Sequence, residues 1–153
     1  MTTRITDVHR FMTDTLEGVA PVSAWGETAY FYNPGQVLKR GTYFATIKEK
    51  DGAHDKASHM NRDGVWRLNI GVRKATFLSL FNHLPARPPK GGVIDGPWAF
   101  AELDQITPHP VYGWMGWLAI LNPGVETFKL CEPLIRDAHQ RAVEGFKKRA
   151  PRA

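Results

Sequence analysis

Apolar positions recur along the chain with two different periods, one typical of helices and one of strands. An amphipathic first helix is predicted by apolar residues every three or four positions: Ile5, Val8, Met12 and Leu16. Gly18 suits the end of this helix. A second helical stripe comprises Phe128, Cys131, Ile135, Ala138, Ala142 and Phe146. The chain is therefore predicted to begin and end in helices, with Pro133 either opening or kinking the last one.

Between these helices the apolar positions alternate, as they do in half-buried strands. A hairpin is predicted where "VSAW" leads through Gly26-Glu27 into "TAYFYN". The third strand, "GTYFATIKEK", is expected to place Tyr43, Ala45 and Ile47 on one face and Phe44, Thr46 and Lys48 on the other. In the fourth strand, "VWRLNIGV", Arg67 and Asn69 are expected to face away from Leu68.

The second half of the chain adds a short helix, an irregular connection and one more clear strand. "RKATFLSLFN" is predicted to be helical, and "WAFAELDQI" either a strand or a short helix. The connection at 83–97 is rich in proline and glycine, and "WLAIL" from Trp117 is a strand. Because the connections have hairpin length, we predict an α+β fold. Its antiparallel sheet would be covered on one face by the N-terminal and C-terminal helices.

Length and charge indicate one domain with a basic end. The 153 residues suit a single domain over 1–148, followed by a basic tail over 149–153. The net charge is +5, but Lys147, Lys148, Arg149 and Arg152 fall in the last seven residues. Without them 16 basic residues face 15 acidic ones, a balance of +1. The body is therefore nearly neutral, which weakens a nucleic-acid interpretation based on net charge.

Composition also argues against a membrane protein and a disulfide scaffold. The longest mostly apolar run, Val111 to Leu121, has 11 residues, whereas a membrane span needs about 20. Cys131 is the single cysteine, so neither an internal disulfide nor a C-x-x-C metal pair can form. We expect a cytoplasmic protein without a membrane partner.

No catalytic or metal-binding pattern stands out. Cys131 lies on the apolar stripe of the last helix, as small core thiols do, and no G-x-S-x-G motif is present. His54, Asp55 and His59 share one polar loop, but loop spacing fixes no coordination geometry, so a solvated loop is favoured. "PPKGG" lacks the P-loop pattern. We therefore expect no catalytic residue set, no metal and no cofactor.

Two groups of residues are candidates for binding. Lys48 and Lys50 lie near a strand end and, with Arg67, could contact phosphates, which would make nucleic acid a partner. His109, Tyr112 and Trp114 lie on a glycine-flexible approach to the strand at Trp117. Such residues could line a ligand pocket, or they could fill the core or form a homodimer contact.

The latter half of the chain resembles the MmcQ/YjbR family. The matching string is "ITPHPVYGWMGWLAILNPGVETFKLCEPLIRDAHQRAVEGF", and "TYFATIKEK" and "VWRLNIGV" resemble the family's two central strands. The matching positions are Ile106 and Pro108 in the approach, Trp117 at the strand, Gly124 in the turn, and Leu134, Ile135 and Asp137 in the last helix. The whole chain also resembles an uncharacterised bacterial group that shares "AWGETAYFYNP" and "HPVYGWMGW".

The MmcQ/YjbR resemblance implies a frataxin-like (CyaY-like) α+β fold with a possible double-wing DNA-binding shape, and it implies no enzyme. We therefore expect a non-enzymatic binding or interaction domain, with nucleic acid as one possible partner. The alternative is a small-ligand-binding protein or an enzyme with a pocket under the 83–97 connection, to which Arg67, His109 and Tyr112 would supply polar groups.

Overall fold

A single six-stranded antiparallel sheet organises the molecule. The structure, a computed structural model, describes residues 3–149. In chain order the strands are β1 (Val19–Ala24), β2 (Glu27–Tyr32), β3 (Thr42–Lys48), β4 (Arg67–Gly71), β5 (Thr107–Pro108) and β6 (Trp117–Leu121). Their spatial order is β1-β2-β3-β4-β6-β5. The predicted α+β class and antiparallel pairing are confirmed.

Helices from both ends of the chain cover one face of this sheet. The helices are α1 (Ile5–Arg10), which continues as one π-helical turn (Phe11–Thr15), α2 (Lys74–Phe81) and α3 (Val125–Arg149). Buried residues of α1 and α3, including Val8 and Ile135, join the core with Leu68 and Ile120 of the sheet. α3 begins well before Pro133, so this proline does not open the helix. The predicted apolar stripes of both terminal helices are confirmed by this core.

The side-chain alternation predicted for β3 is wrong at its first residues. The pairing of β2 with β3 shifts register between Tyr30 and Phe31, so that Phe31 lies opposite Tyr43 and Phe44 is extra. Such a bulge reverses the faces on either side of it. Phe44 is therefore completely buried in the core, while Tyr43 is on the open face and 47% exposed.

The open face of the sheet carries the polar side chains of the central strands. Thr46, Lys48 and Asn69 lie on it, opposite the core side chains of Ile47 and Leu68. This arrangement matches the prediction for β4. A face of this kind needs either solvent or a second structural layer to satisfy its polar groups.

Two irregular segments lie beside β6 and the loop that leads into it. The 83–97 connection packs against the loop that precedes β6, residues 109–116, which is called the approach loop. Ile94 is buried, and its amide donates to the Pro110 carbonyl at 2.9 Å. "WAFAELDQI" forms neither of the predicted elements and makes only an isolated bridge from Leu103 to Leu121. A bridge of one residue is too short to form a strand, so the segment is irregular.

The described part of the chain ends within the predicted basic tail. Arg149, the first residue of that tail, belongs to α3. The rest of the tail, residues 150–153, lies outside the described residues, so the boundary at 148 stays a prediction. Within residues 3–149 no helix is both long and apolar enough to cross a membrane.

Candidate ligand-binding cleft

A cleft of about 1000 Å³ lies on the open face of the sheet. Its floor is formed by β2, β3 and β4, and its walls by the loop after β3, the approach to β6, and α3. Its lining side chains include Glu27, Ala29, Phe31, Arg40, Tyr43, Thr46, Lys48, Asp55, Asn69, His109, Tyr112, Trp117, Arg141 and Arg149. β3, whose seven residues extend over about 20 Å, runs along the floor.

A buried ion pair between Asp55 and Arg67 lies beneath one end of the cleft. Arg67 is 1% exposed and donates to both carboxylate oxygens of Asp55, through Nη1 at 2.9 Å and through Nη2. This bidentate geometry matches the planar guanidinium to the carboxylate. Lys48 adds a second cation at 3.3 Å from Asp55 Oδ2. The pair fixes the loop after β3 to the floor of the sheet.

The remaining donors of Arg67 are also used. Its Nε donates to Asn69 Oδ1 at 2.7 Å and its Nη1 to Ser58 Oγ at 2.9 Å. Asn69 in turn donates to Thr46 Oγ1 at 2.8 Å. Among the described residues, every buried side-chain nitrogen or oxygen has a hydrogen-bond partner. These hydrogen bonds, together with the ion pair to Asp55, offset the free-energy cost of burying the charge of Arg67.

The hydrogen bonds of His109 determine which of its ring nitrogens carries the proton. The backbone amides of Val111 and Tyr112 both donate to Nδ1, each at 3.1 Å. Nδ1 must then be the unprotonated nitrogen, and the proton is on Nε2. Nε2 lies 2.9 Å from Arg67 Nη2, and Asp55 Oδ2, at 3.9 Å, is too far away for a hydrogen bond. His109 thus joins the approach loop to the ion pair in its neutral form.

Burial and charge shift the pKa values of these two acid–base groups downward. Burial and then the charge of Arg67 lower the pKa of His109 well below 6.5, despite the opposing effect of Asp55. Burial alone would raise the pKa of Asp55, but the hydrogen bonds and charge of Arg67 outweigh it and lower the pKa to about 2. At neutral pH, Asp55 is therefore charged and His109 neutral.

Aromatic rings form the middle of the cleft. The Tyr43 ring stacks on that of Trp117, with centroids 5.2 Å apart and an angle of 26° between planes. Phe31 lies beside Tyr43 at 5.8 Å. Tyr112, from the approach loop, is 50% exposed and contacts the ring of His109 at 5.1 Å between centroids. These rings offer a planar apolar surface open to solvent.

Arg141 reaches the cleft from α3 beyond the end of the β3–β4 ladder. Its Nε donates to the Gly71 carbonyl at 2.7 Å and its Nη2 to the Tyr43 carbonyl at 3.4 Å. Gly71 makes this approach possible, since a Cβ there would lie 2.9 Å from Arg141 Nη2 and 2.6 Å from Trp117 Cζ2. The guanidinium is thereby fixed against the aromatic floor.

The side chains that line the cleft carry a net positive charge. Four of them are cationic and two, Glu27 and Asp55, are anionic, a difference of +2. Arg40, Arg141 and Arg149 cluster at the end where β3 begins, whereas Lys48 lies at the other end. The cleft is thus more basic than the nearly neutral body of the chain.

The predicted strand-end residues separate in the structure. Lys48 faces the cleft and is paired with Asp55, and Arg67 is buried beneath the cleft. Lys50 is exposed and packs its aliphatic chain over Gly26 at the hairpin turn, away from the cleft lining. The three basic residues therefore do not form one flat surface.

The predicted approach-loop residues also have different positions. His109 is 3% exposed and lies at the cleft wall with Tyr112. Trp114 is half-buried outside the cleft lining, where the guanidinium of Arg87 covers its ring at 4.7 Å. Arg67 contacts His109, and His109 contacts Tyr112, but Arg67 does not line the cleft, and the cleft is not under the 83–97 connection. That segment contributes no lining residue.

Sequence reasoning missed two positions that line the candidate cleft. Asp55 was assigned to a solvated loop, yet it is 8% exposed because Arg67 binds it. Arg141 itself gave no signal, since an arginine on a helix is usually solvated, although a residue packed against it did. Its one sequence cue is Gly71, a glycine inside a strand, which often marks the close approach of another group.

Neither a cluster of metal ligands nor a reactive thiol is found among the described residues. Within residues 3–149, no three His, Cys, Asp or Glu side chains are grouped so as to hold a metal ion. Cys131 is buried in the core, and burial raises the pKa of its thiol to about 12. A thiol of this kind is inert as a nucleophile at neutral pH.

Comparison with known proteins identifies one family. The family described as "Family of unknown function (DUF6194)" matches residues 1–151. No curated protein and no solved structure matches the chain. The match shows no link to the MmcQ/YjbR family, so that resemblance and the YjbR/CyaY-like fold remain predictions.

Proposed function

Since the chain belongs to DUF6194, a family of unknown function, we propose its role from the cleft itself: the protein is a binding domain that holds a small organic molecule with a planar part. The molecule would lie on the open face of the sheet, between the loop after β3 and the approach to β6. This is the small-ligand form of the predicted binding domain.

The aromatic surface at the centre of the cleft carries this proposal. Tyr43 is 47% exposed although it stacks on Trp117, and Tyr112 across from it is 50% exposed. Ligand sites are typically concave and combine aromatic walls with a few fixed polar groups. Here the fixed groups are Lys48, Asp55 and Asn69, which the buried network holds in place.

Binding is favoured over catalysis because the acid–base groups are already committed. Both ring nitrogens of His109 face protein donors or acceptors, and its pKa is well below 6.5. Asp55 is held by two cations and its pKa is about 2. A general base needs a pKa near the working pH and an available lone pair. Neither group meets both conditions.

A ligand-observed NMR screen with several hundred aromatic fragments tests the proposal. We expect binding to the wild type and loss of binding in Ala29→Trp, which fills the cleft floor. Ala75→Trp, on the exposed surface of α2, is the matched control and should bind as the wild type does. The proposal is wrong if no fragment binds, or if Ala29→Trp binds as well as the control.

Single-stranded nucleic acid is the second candidate. Exposed aromatic rings beside cations on a sheet face are a common platform for stacking bases. An oligonucleotide titration at two salt concentrations tests it, because contact with several phosphates makes affinity fall steeply with salt. No binding at low salt, or equal binding by Tyr43→Ala, would exclude this candidate.

A further inference from the structure

We infer that the ligand of the cleft is an aromatic anion, whose carboxylate or phosphate is bound by Arg141 and Arg149 and whose ring lies against Tyr43. This inference rests on the proposed function, since it names the chemical class that the same cleft would take. Both arginines come from α3, eight positions apart, which places their Cα atoms about 12 Å apart along the helix.

Two hydrogen bonds fix the orientation of the Arg141 guanidinium, yet most of its N–H donors have no acceptor among the described residues. A guanidinium has five N–H donors. Among the described residues, the carbonyls of Gly71 and Tyr43 accept from two of them. Arg141 lines the cleft, and its Nη2 lies 2.9 Å from the position that a Cβ on Gly71 would occupy. An anion there would meet an arginine whose orientation is already fixed.

Arg149 is bound in the same way at the rim of the cleft. Its Nη1 donates to the Gly41 carbonyl at 3.1 Å and to Thr42 Oγ1 at 3.0 Å. Across residues 3–149, no carboxylate lies within 4.0 Å of Arg40, Arg141 or Arg149. This end of the cleft therefore holds cationic groups that are bonded to neutral acceptors, an arrangement that suits carboxylate or phosphate oxygens.

The opposite end of the cleft is less suited to an anion. There Lys48 lies 3.3 Å from Asp55, and Glu27 is its cross-strand neighbour. The positive charges of Lys48 and Arg67 are balanced there by the negative charges of Asp55 and Glu27, so this end attracts a further anion less than the arginine end does. The difference between the two ends orients the ligand, with its charged group toward the start of β3.

The aromatic surface of the cleft lies next to its arginine end. The Tyr43 carbonyl accepts a hydrogen bond from Arg141, while the ring of the same residue stacks on Trp117. A ligand whose anionic group is bonded to Arg141 would therefore place its neighbouring ring on Tyr43. A ring in such an offset arrangement gains stacking contacts in addition to the charge-assisted hydrogen bonds.

Matched pairs of charged and neutral probes test this inference by isothermal titration. The pairs are indole-3-acetate with indole-3-acetamide and adenosine 5′-monophosphate with adenosine. We expect the anion of at least one pair to bind about tenfold more tightly than its neutral partner, as hydrogen bonds to charged groups predict. The pair with the larger ratio assigns the head group as carboxylate or phosphate.

Three variants assign the effect to the cleft. Arg149 is exposed, so the variant Arg149→Gln should fold normally. We expect this variant to bind the anionic probe about tenfold more weakly and the neutral probe as tightly as the wild type does. Arg141→Gln should have the same effect, with urea unfolding as a check of its fold. Lys148→Gln removes the same charge from an exposed position outside the cleft lining, and should bind as the wild type does.

The outcomes separate the inference from the proposed function. Equal binding of charged and neutral probes, or equal losses in Arg149→Gln and Lys148→Gln, would overturn the inference and leave the binding domain in place. If none of the four probes binds while fragments still bind in the cleft, the inference is likewise overturned and the proposed binding function stands. If neither probes nor fragments bind, both are overturned.

Discussion

Asp55 and Arg67 lie 12 positions apart, one in a loop and one in a strand, and each is buried only because the other is present. Neither residue type is usually buried without a partner. The sequence placed Arg67 correctly on the polar face of β4. It gave no reason to choose Asp55 over the neighbouring Asp51 as the partner, because the path of a loop does not follow from periodicity.

Removal of Asp55 should destabilise the fold. Asp55→Ala leaves Arg67 charged and buried without a counterion, which typically costs about 3–5 kcal/mol. The free energy of unfolding in urea measures this loss. Asp63→Ala, exposed in the same loop, should change it by no more than about 0.5 kcal/mol. Equal effects of the two variants would mean that the ion pair does not stabilise the fold.

The stability of the protein should fall as the pH drops below 6.5, through His109. Its pKa is lower in the folded state than in the unfolded state, so the unfolded chain binds the proton first. The stabilisation is complete above about pH 6.5 and is lost progressively below it. Asp55 contributes in the same direction between about pH 4 and 2, because its folded pKa is about 2.

His109→Asn isolates this effect, since its amide oxygen can accept the two backbone hydrogen bonds that Nδ1 accepts. We expect the wild type to lose about 1 kcal/mol more than this variant between pH 7 and 5.5. Urea unfolding at both pH values gives the difference. Parallel pH dependences in the two proteins would show that His109 titrates normally in the fold.

Two elements of the fold meet at Gly71, where β4 ends beneath Arg141 of α3. The periodicity of β4 and α3 was readable from the sequence, but their contact was not. A bulge in β3 adds a second change that alternation alone does not reveal, since the extra residue, Phe44, has the same apolar character as its neighbours. The open face was therefore predicted correctly at Asn69 and incorrectly at Tyr43.

Two glycine substitutions should have opposite effects. Gly71→Ala places a Cβ 2.6 Å from Trp117 Cζ2, and we expect a loss of about 1–3 kcal/mol. Gly145→Ala on α3 places its Cβ 3.8 Å from Thr42, an ordinary contact, and should gain about 0.5–1 kcal/mol from helix propensity. Thermal unfolding of both variants measures the difference. A gain for Gly71→Ala would show that the cleft floor is not closely packed.

Within the described part of the chain, the whole molecule presents β1 as an exposed edge strand. The amide of Asn33 donates to the Gly18 carbonyl, so alternate residues Ala20 and Val22 bond to β2 while Pro21 faces outward. Because proline has no N–H, it interrupts the row of donors that another strand would need. The homodimer predicted from the aromatic approach loop would use that loop and not the β1 edge, and it stays a prediction.

Pro21→Val should restore that row and promote self-association through β1. Sedimentation velocity over a range of concentrations is expected to show a dimer or larger species for the variant, relative to the wild type. Pro89→Val, in the exposed 83–97 connection, serves as the control and should leave the sedimentation coefficient unchanged. A variant that sediments as the wild type does would show that Pro21 does not protect the edge.

The sequence by itself determined the α+β class, the two amphipathic terminal helices and the polar face of β4. These features follow from short-range periodicity, which acts within one element. Tertiary structure alone decided that Asp55 is buried, that Tyr43 is on the open face and that Arg141 enters the cleft. Each of these depends on where one element ends against another, and the energy of such contacts comes from residues far apart in the chain.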